Sequence, residues 1–312
     1  MNNYLKVLRP GVNSTFQDKG RFAVQHLGIV ASGCMDRLSF CISNNLTGNK
    51  ITEGVLEFAY QGPLLELVGD SVLCAISGKV NFNIIKKNGI TKKGNSNESF
   101  IINNGEKIDI ISTINSVYGY LSIFGGFKLK FIHGSVSTLL KAKIGPNGGD
   151  KLKSNDKIFY NKVAPNRKIK KINFNFDEDN IIRVMKGTQI DYFSKQSQDD
   201  FFKEEYKISR LSDRMGMRLE GKKLENIVNK NIKSEGITKG SIQIPGDGQP
   251  IILLSDHPTI GGYPKIANII TADYDKLVQI IPGKKIRFKL VNLDIAEQAF
   301  EEYERKFNAI YL

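Results

Sequence analysis

Polar and hydrophobic positions alternate along much of the chain. In "KIRFKLVN", Ile286, Phe288 and Leu290 are separated by Lys285, Arg287 and Lys289, the two-residue period of a strand with one buried face. The stretches "EKIDII", "YGYLSIF" and "SIQIPGDGQPIILL" behave in the same way, and glycine, asparagine and proline punctuate them. Short strands recurring at this spacing must bury one face against another layer, so a sheet closed into a barrel or folded into a sandwich is expected.

A few segments carry the 3.6-residue period instead. In "MDRLSFCISNNLTGN", Leu38, Cys41, Ile42, Asn45 and Leu46 fall on one helical face, with Asp36 placed to cap the start and Gly48 to end it. "ADYDKLVQIIPG" repeats the pattern with Tyr274, Leu277, Val278 and Ile281, its expected cap being Asp273 and its stop Pro282-Gly283. A third helix is expected around "SQDDFFKEEY", and a C-terminal one in "LDIAEQAFEEYERKFNAIYL", where Asp294 and Glu297 stand in capping-box register. Strands with isolated helices and no regular βαβ alternation indicate a mostly β or α+β chain, and mostly β is expected.

The lysine-rich stretch "VAPNRKIKKINFNFDEDN", Val163 to Asn180, combines turn residues with a change of charge sign. It divides the chain into two expected domains, 1–172 and 173–312. "LKVLRPGVNSTFQD" and "IIRVMKGTQIDYF" each place a β-branched run before a glycine and a polar turn, a faint sign of duplication.

Composition narrows the function. At 312 residues with 40% hydrophobic and 25% charged residues, the chain is long enough for two buried cores and resembles neither a disordered nor a fibrous protein. No apolar run reaches the roughly 18 residues of a membrane span, and "MNNYLKVLRPG" lacks a signal-peptide core, so a cytoplasmic location is expected. The net charge of +13 raises the question of nucleic acid. Yet residues 141–171 alone hold ten basic and two acidic residues with few aromatics between them, which fits a solvated basic face better than a strand-binding groove. Cys34, Cys41 and Cys74 have no paired spacing, and His26, His133 and His257 are scattered, so neither a disulfide framework nor a metal site is expected. Phosphate-loop, dinucleotide and nucleophile-elbow motifs are absent from the sequence.

Five stretches combine glycine, charge and amide groups. "NSTFQDKGRFAVQHLGIVASGCMDRLS" brings Asp18 and Arg21 before a helix start, where main-chain N–H groups near Ser32 and Asp36 would attract an anion; alternatively, Asp18 and Arg21 simply pair and Asp36 only caps. "GVLEFAYQGPLLEL" sets Glu57 at a strand end, either as an acceptor for an amide N–H or as a solvated residue. "ISRLSDRMGMRLEG" reads as a bent strand carrying Arg214 among further arginines, whose guanidinium groups suit a carboxylate or phosphate, or an internal Asp or Glu. "SEGITKGSIQIPGDGQPIIL" offers Ser234, Glu235 and Gln243. In "DHPTIGGYPKIA", Gly261 and Gly262 permit a close backbone approach beside Tyr263 and Lys265.

In order, "GVNSTFQDKGR", "SGCMDRLSF", "NNLTGN", "LEFAYQGPLLEL", "GYLSIFGGF", "LSDRMGMRLEG", "SEGITKGSIQIPGDGQPIIL" and "IGGYPKIANI" resemble the family of the C subunit of bacterial ATP-dependent 5-oxoprolinase. That family is also called KipA or allophanate-hydrolase-subunit-2-like, and is described as a biotin-dependent carboxyltransferase domain. The resemblance implies two cyclophilin-like β-barrel domains, a smaller, KipI-like B subunit for a partner, and an A subunit that completes conversion of 5-oxoproline to L-glutamate. ATP would be shared with those subunits, and this chain alone would be inactive. It also implies two alternatives: a regulator that binds a KipI-like histidine-kinase inhibitor, or a carboxyltransferase acting on a urea-like amide. No biotin-attachment lysine occurs in the chain, so biotin would arrive on another one.

Each chemistry handles a small amide or lactam whose oxygen gains negative charge. On that logic Arg214 or Lys265 would offset the charge and Asp18 or Glu57 would orient the amide N–H. Arg21, Ser32, Asp36, Ser234, Glu235, Gln243, Gly261, Gly262 and Tyr263 would line the substrate.

Overall fold

The structure, a computed structural model, describes residues 3–162, 168–174, 179–228 and 231–310. The chain forms two compact units. One comprises 1–22, 32–175 and 310–312, the other 23–31 and 176–309.

The first unit holds eleven described strands: β1 (Tyr4–Arg9), β2 (Thr15–Gln17), β3 (Val55–Ala59), β4 (Leu64–Val68), β5 (Val72–Ser77), β6 (Val80–Ile85), β7 (Thr91–Lys93), β8 (Glu98–Ile102), β9 (Lys107–Thr113), β10 (Tyr118–Ile123) and β11 (Lys157–Phe159). They pair antiparallel in two sheets, ordered β11-β1-β4-β9-β6-β7 and β2-β3-β10-β5-β8. Alternation explains the core between them. Leu5 and Val7, Leu65 and Leu67, Phe82 and Ile84, and Ile108 and Ile110 come from the first sheet, and they cluster with Leu56, Phe58, Cys74, Ile76, Leu121 and Ile123 of the second.

Strands β3, β5 and β10 are buried at every position. Their second face lies under helix α1 (Arg37–Thr47), which packs across all three. Much of that face is polar. Ser77 Oγ donates to the Ser39 carbonyl at 2.6 Å, and Ser122 Oγ to the Ser43 carbonyl at 2.5 Å. As the sequence predicts, Asp36 caps α1 by accepting from Ser39 N–H at 2.9 Å, and Gly48 ends it in the left-handed conformation. A short 3-10 turn, Leu140–Ala142, precedes α2 (Pro146–Gly149), a tight turn in which Asn147, Gly148 and Gly149 all have positive φ.

Part of the lysine-rich stretch is built into this unit. Lys170 exchanges bonds with Ser99, and Ile172 N–H reaches the Asn97 carbonyl at 2.9 Å, so residues 170–172 run along the β8 edge. Residues 163–167 and 175–178 of the expected linker lie outside the described residues.

The second unit is a closed seven-stranded barrel. Its strands are β12 (Ile181–Lys186), β13 (Glu205–Ile208), β14 (Gly216–Glu220), β16 (Ser241–Gln243), β17 (Ile251–Leu253), β19 (Lys265–Ile269) and β20 (Lys285–Leu290). They close in the order β12-β19-β16-β17-β14-β13-β20, with a parallel β12–β20 pairing at the seam. A two-stranded ribbon, β15 (Glu235–Gly236) with β18 (Ile260–Gly261), is separate from the barrel wall. The mostly β expectation therefore holds. "ISRLSDRMGMRLEG" is a hairpin, β13 to β14, rather than one bent strand. In β20, Ile286 and Phe288 are buried as the alternation predicts, but Leu290, at the strand's end, is exposed.

Among the described residues of this unit, three segments are α-helical: α3 (Lys195–Lys203), α4 (Thr271–Gln279) and α5 (Leu293–Ala309). Phe201 of α3 stacks on Phe288 with ring centroids 4.6 Å apart. Two expected caps differ. α4 begins two residues before Asp273, which instead takes Arg183 in a bidentate pair at 2.6–3.2 Å. α5 is capped by Asn292, whose Oδ1 accepts from Ile295 N–H at 3.0 Å, so Asp294 falls inside its first turn. Among the described residues, no helix is long and apolar enough to cross a membrane.

Candidate functional site

The predicted site residues gather in two clusters, one in each unit. In the first unit, Asp18 follows β2 and is buried. Its Oδ1 accepts from Gly20 N–H at 2.8 Å, Ser135 Oγ at 2.7 Å and Ser137 Oγ at 2.6 Å, while Oδ2 accepts from Val136 N–H at 2.8 Å. Four donors on one carboxylate fix the 135–137 segment against the turn after β2. Arg21, fully buried, donates Nη2 to the Ser137 carbonyl, and Gln17 Nε2 donates to the Thr138 carbonyl at 3.1 Å. Asp18 thus binds serines and backbone, and it organises a loop.

The "SGC" segment folds onto the same turn. Ser32 has φ 57 and Gly33 φ 96, and Cys34 N–H donates to the Asp18 carbonyl at 2.8 Å. A side chain on Gly33 would sit 3.0 Å from the backbone of Lys19 and Gly20, which explains why the position is glycine. Glu57 is buried on the α1-facing side of β3, not solvated. Its Oε2 accepts from Met35 N–H at 2.8 Å. Opposite it on β10, the Tyr120 hydroxyl accepts from Asp36 N–H at 2.8 Å. Burial, reinforced by Glu57, Asp36 and Cys34, pushes the Tyr120 hydroxyl well above its usual range, so it stays protonated. Asp18, Arg21, Ser32, Asp36 and Glu57 are therefore brought together. Ser135 and Ser137, outside every quoted stretch, and Tyr120, inside "GYLSIFGGF" but not singled out there, complete the network.

In the second unit, Arg214 and Asp256 form a bidentate pair, Nε to Oδ2 at 3.0 Å and Nη2 to Oδ1 at 3.1 Å, with both side chains more than nine-tenths buried. Backbone bonds reinforce it, since Asp256 N–H donates to the Arg214 carbonyl at 2.8 Å. Arg214 therefore commits two of its nitrogens to an internal carboxylate, the simpler of the two roles its sequence allowed.

Lys265 is arranged differently. It opens β19 with its side chain buried, and its ammonium donates to Glu235 Oε1 on the ribbon, where Glu235 is 44% exposed. The hydrogen bond from Lys265, followed by one from Gln189, holds the Glu235 carboxyl below its ordinary value against the opposing effect of burial. Around this pair the glycines act as spacers. A side chain on Gly261 would meet Gln243 Nε2 at 2.7 Å, and one on Gly262 would meet the Ile232 carbonyl at 3.2 Å. The close approach expected at Gly261-Gly262 is thus to the neighbouring 232–243 segment. Gln243 pairs with Lys265 across β16 and β19 and points its amide toward the Tyr263 carbonyl at 3.5 Å. Ser234 and Tyr263 are exposed at the edge of this cluster.

Gln189 is the neighbour of this pair that sequence reasoning missed. Its Nε2 donates to Glu235 Oε1 at 3.0 Å and its Oε1 accepts from Lys265 N–H at 3.2 Å. Among the described residues, no group of three or more His, Cys, Asp or Glu side chains is placed to hold a metal ion. What this cluster presents is one ammonium whose counter-ion faces outward, bordered by amides and by backbone that glycine allows to come close.

The comparisons with known proteins agree with this frame. Residues 27–290 match the model of the carboxyltransferase domain, subdomains A and B, and the chain belongs to that family. More particularly, it is 31% identical to the 5-oxoprolinase C subunit of Escherichia coli, covering 98% of this chain and 97% of the relative. It is 32% identical to the 5-oxoprolinase C subunit of Haemophilus influenzae, covering 96% and 93%. Among solved structures, the urea amidolyase of K. lactis superposes with a TM-score of 0.89 at 27% identity, over 98% of this chain but only 20% of that much longer one.

Proposed function

We propose that this chain is the C subunit of an ATP-dependent 5-oxoprolinase, cytoplasmic, and that it acts with the A and B subunits to open 5-oxoproline to L-glutamate. The observation that carries this reading is coverage. The 5-oxoprolinase C subunits match from end to end, whereas the chain spans about a sixth of the Lachancea kluyveri urea amidolyase, at 17% of its length.

In this reading Lys265 meets the anionic oxygen of the substrate, because its ammonium has only a half-exposed carboxylate to displace. The substrate's own carboxylate or its activated lactam oxygen would replace Glu235. Within the first unit, Glu57 is committed to Met35 N–H on the buried polar face beside Tyr120, and Asp18 shapes its loop with four bonds. ATP is assigned to the partner subunits. Neither Arg214, committed to Asp256, nor Lys265, a single ammonium, makes a cradle for a triphosphate.

Carboxyl transfer to a urea-like amide is the second reading, favoured by 28% identity with urea amidolyase of L. kluyveri over 96% of this chain. One experiment separates the two. ATP-dependent glutamate release from 5-oxoproline is measured with this chain plus the A and B subunits, leaving out each in turn. Release that requires all three is expected. No release from the full mixture would discard the oxoprolinase reading and leave carboxyl transfer, or a regulatory role through a KipI-like partner, to be tested.

A further inference from the structure

Lys265 and Glu235 come from different layers, the barrel wall and the exposed ribbon, and a flexible surface carboxylate does not hold one direction by itself. Gln189 supplies the direction. It follows β12 at the point where Gly187 packs so tightly on β19 that a side chain there would lie 2.3 Å from the Lys265 carbonyl. That contact brings residue 189 alongside Lys265 in a fixed register. Gln189 N–H donates to the Lys265 carbonyl and Gln189 Oε1 accepts from Lys265 N–H, both at 3.2 Å. Thr188 Oγ1 donates to the same Oε1 at 2.8 Å, which fixes the amide so that Nε2 faces outward. That Nε2 then donates to Glu235 Oε1 at 3.0 Å, the same oxygen that takes the Lys265 ammonium.

We propose that Gln189 is a positioning residue that acts through Glu235: it turns Oε1 of that carboxylate onto Lys265 and so keeps the ammonium covered until a substrate anion displaces Glu235. The proposal rests on the reading of Lys265 as the group that meets the substrate. A neutral amide suits the task because it orients a carboxylate without adding a charge that would compete for the lysine. It also explains why β12, otherwise a plain wall strand, ends in a glycine and a polar turn.

The test uses the full chain and its Gln189→Met, Glu235→Gln and double variants. Lys265 acylation by acetic anhydride at one fixed pH is quantified by mass spectrometry, with the exposed Lys195 as internal reference. Loss of a hydrogen bond to a charged group is worth about a factor of ten, so Lys265 acylation is expected to rise about tenfold in each single variant. It should rise no further in the double variant, because both changes take the same carboxylate off the ammonium, and Lys195 should stay constant. In the three-subunit mixture, Gln189→Met should alter KM for 5-oxoproline more than kcat. Should Gln189→Met unfold, Gln189→Ala removes the same side-chain bonds with no demand for space. Acylation of Lys265 that is unchanged in Gln189→Met while it rises in Glu235→Gln overturns the proposal, as do two effects that multiply in the double variant. Full turnover by Lys265→Ala would instead remove Lys265 from the function proposed above, and the acylation pattern would still decide what Gln189 does.

Discussion

The ion pairs Arg214–Asp256 and Lys265–Glu235 belong to the same unit and join the same kinds of group, yet their surroundings give them different work. In the first, both partners are more than nine-tenths buried, two parallel hydrogen bonds lock the fork, and the backbone of each residue takes part. In the second, the cation is buried but the anion is half exposed, and a neutral amide steers it. Breaking the first leaves a charge stranded away from water, whereas opening the second lets the carboxylate return to solvent. Sequence treats Arg214 and Lys265 as equivalent cations; burial of the counter-ion separates a scaffold bond from an exchangeable one.

The strongest way to break this contrast is Asp256→Ala. It should cost about 3–5 kcal/mol, read as a lowered urea midpoint, because Arg214 keeps its buried charge and loses this carboxylate. A loss under about 1 kcal/mol would show that water reaches Arg214 and that the two pairs are alike. Next is Lys265→Met, which keeps the apolar stem and removes the charge. Turnover in the three-subunit mixture should fall about 100-fold, with the thermal midpoint nearly unchanged. Glu235→Gln should then cost less than Asp256→Ala in the same urea titration, because only one partner of this pair is buried and the amide that replaces the carboxylate still accepts from Lys265; a shift as large as that of Asp256→Ala would erase the distinction.

The smallest effect concerns His257, next to Asp256. Burial chiefly pushes its imidazole below the ordinary value, with Lys239 acting in the same direction and the Pro258 carbonyl and Asp256 opposing. A depressed folded-state value means that the unfolded chain takes up the proton first as pH falls. The associated stability is complete above pH about 6.5, the unfolded value, and is lost below it. Thermal midpoints measured from pH 7 to pH 5 should fall more steeply for the natural chain than for His257→Gln, and identical slopes would contradict this.

What was legible in the sequence followed from short-range rules. Asp36 and Gly48 bound α1 because a cap and a stop act within one helical turn, and the alternation in β20 placed Ile286 and Phe288 correctly. Misses came from distant partners. Asp273 looked like a cap, but Arg183, ninety residues earlier, claims it. Glu57 looked solvated because nothing in "LEFAY" reveals that α1 covers the other face of β3. The match of Arg214 to Asp256 spans 42 residues and crosses from one loop to another, so the internal pairing was foreseeable in kind but not in partner. Gln189 carried no charge and no motif; only the glycine two residues before it marked the close packing that makes it important.

The Lys265–Glu235 contact also has a meaning for covalent chemistry. An amine already hydrogen-bonded to a carboxylate is a ready substrate for a carbodiimide, which activates the carboxylate oxygen, departs as its urea and leaves an amide between the two side chains. The ribbon would then be stapled to the barrel by a ring that closes a span of thirty residues. By loop entropy alone that staple would be worth about 3–4 kcal/mol, turning the site's most exchangeable bond into a fixed one.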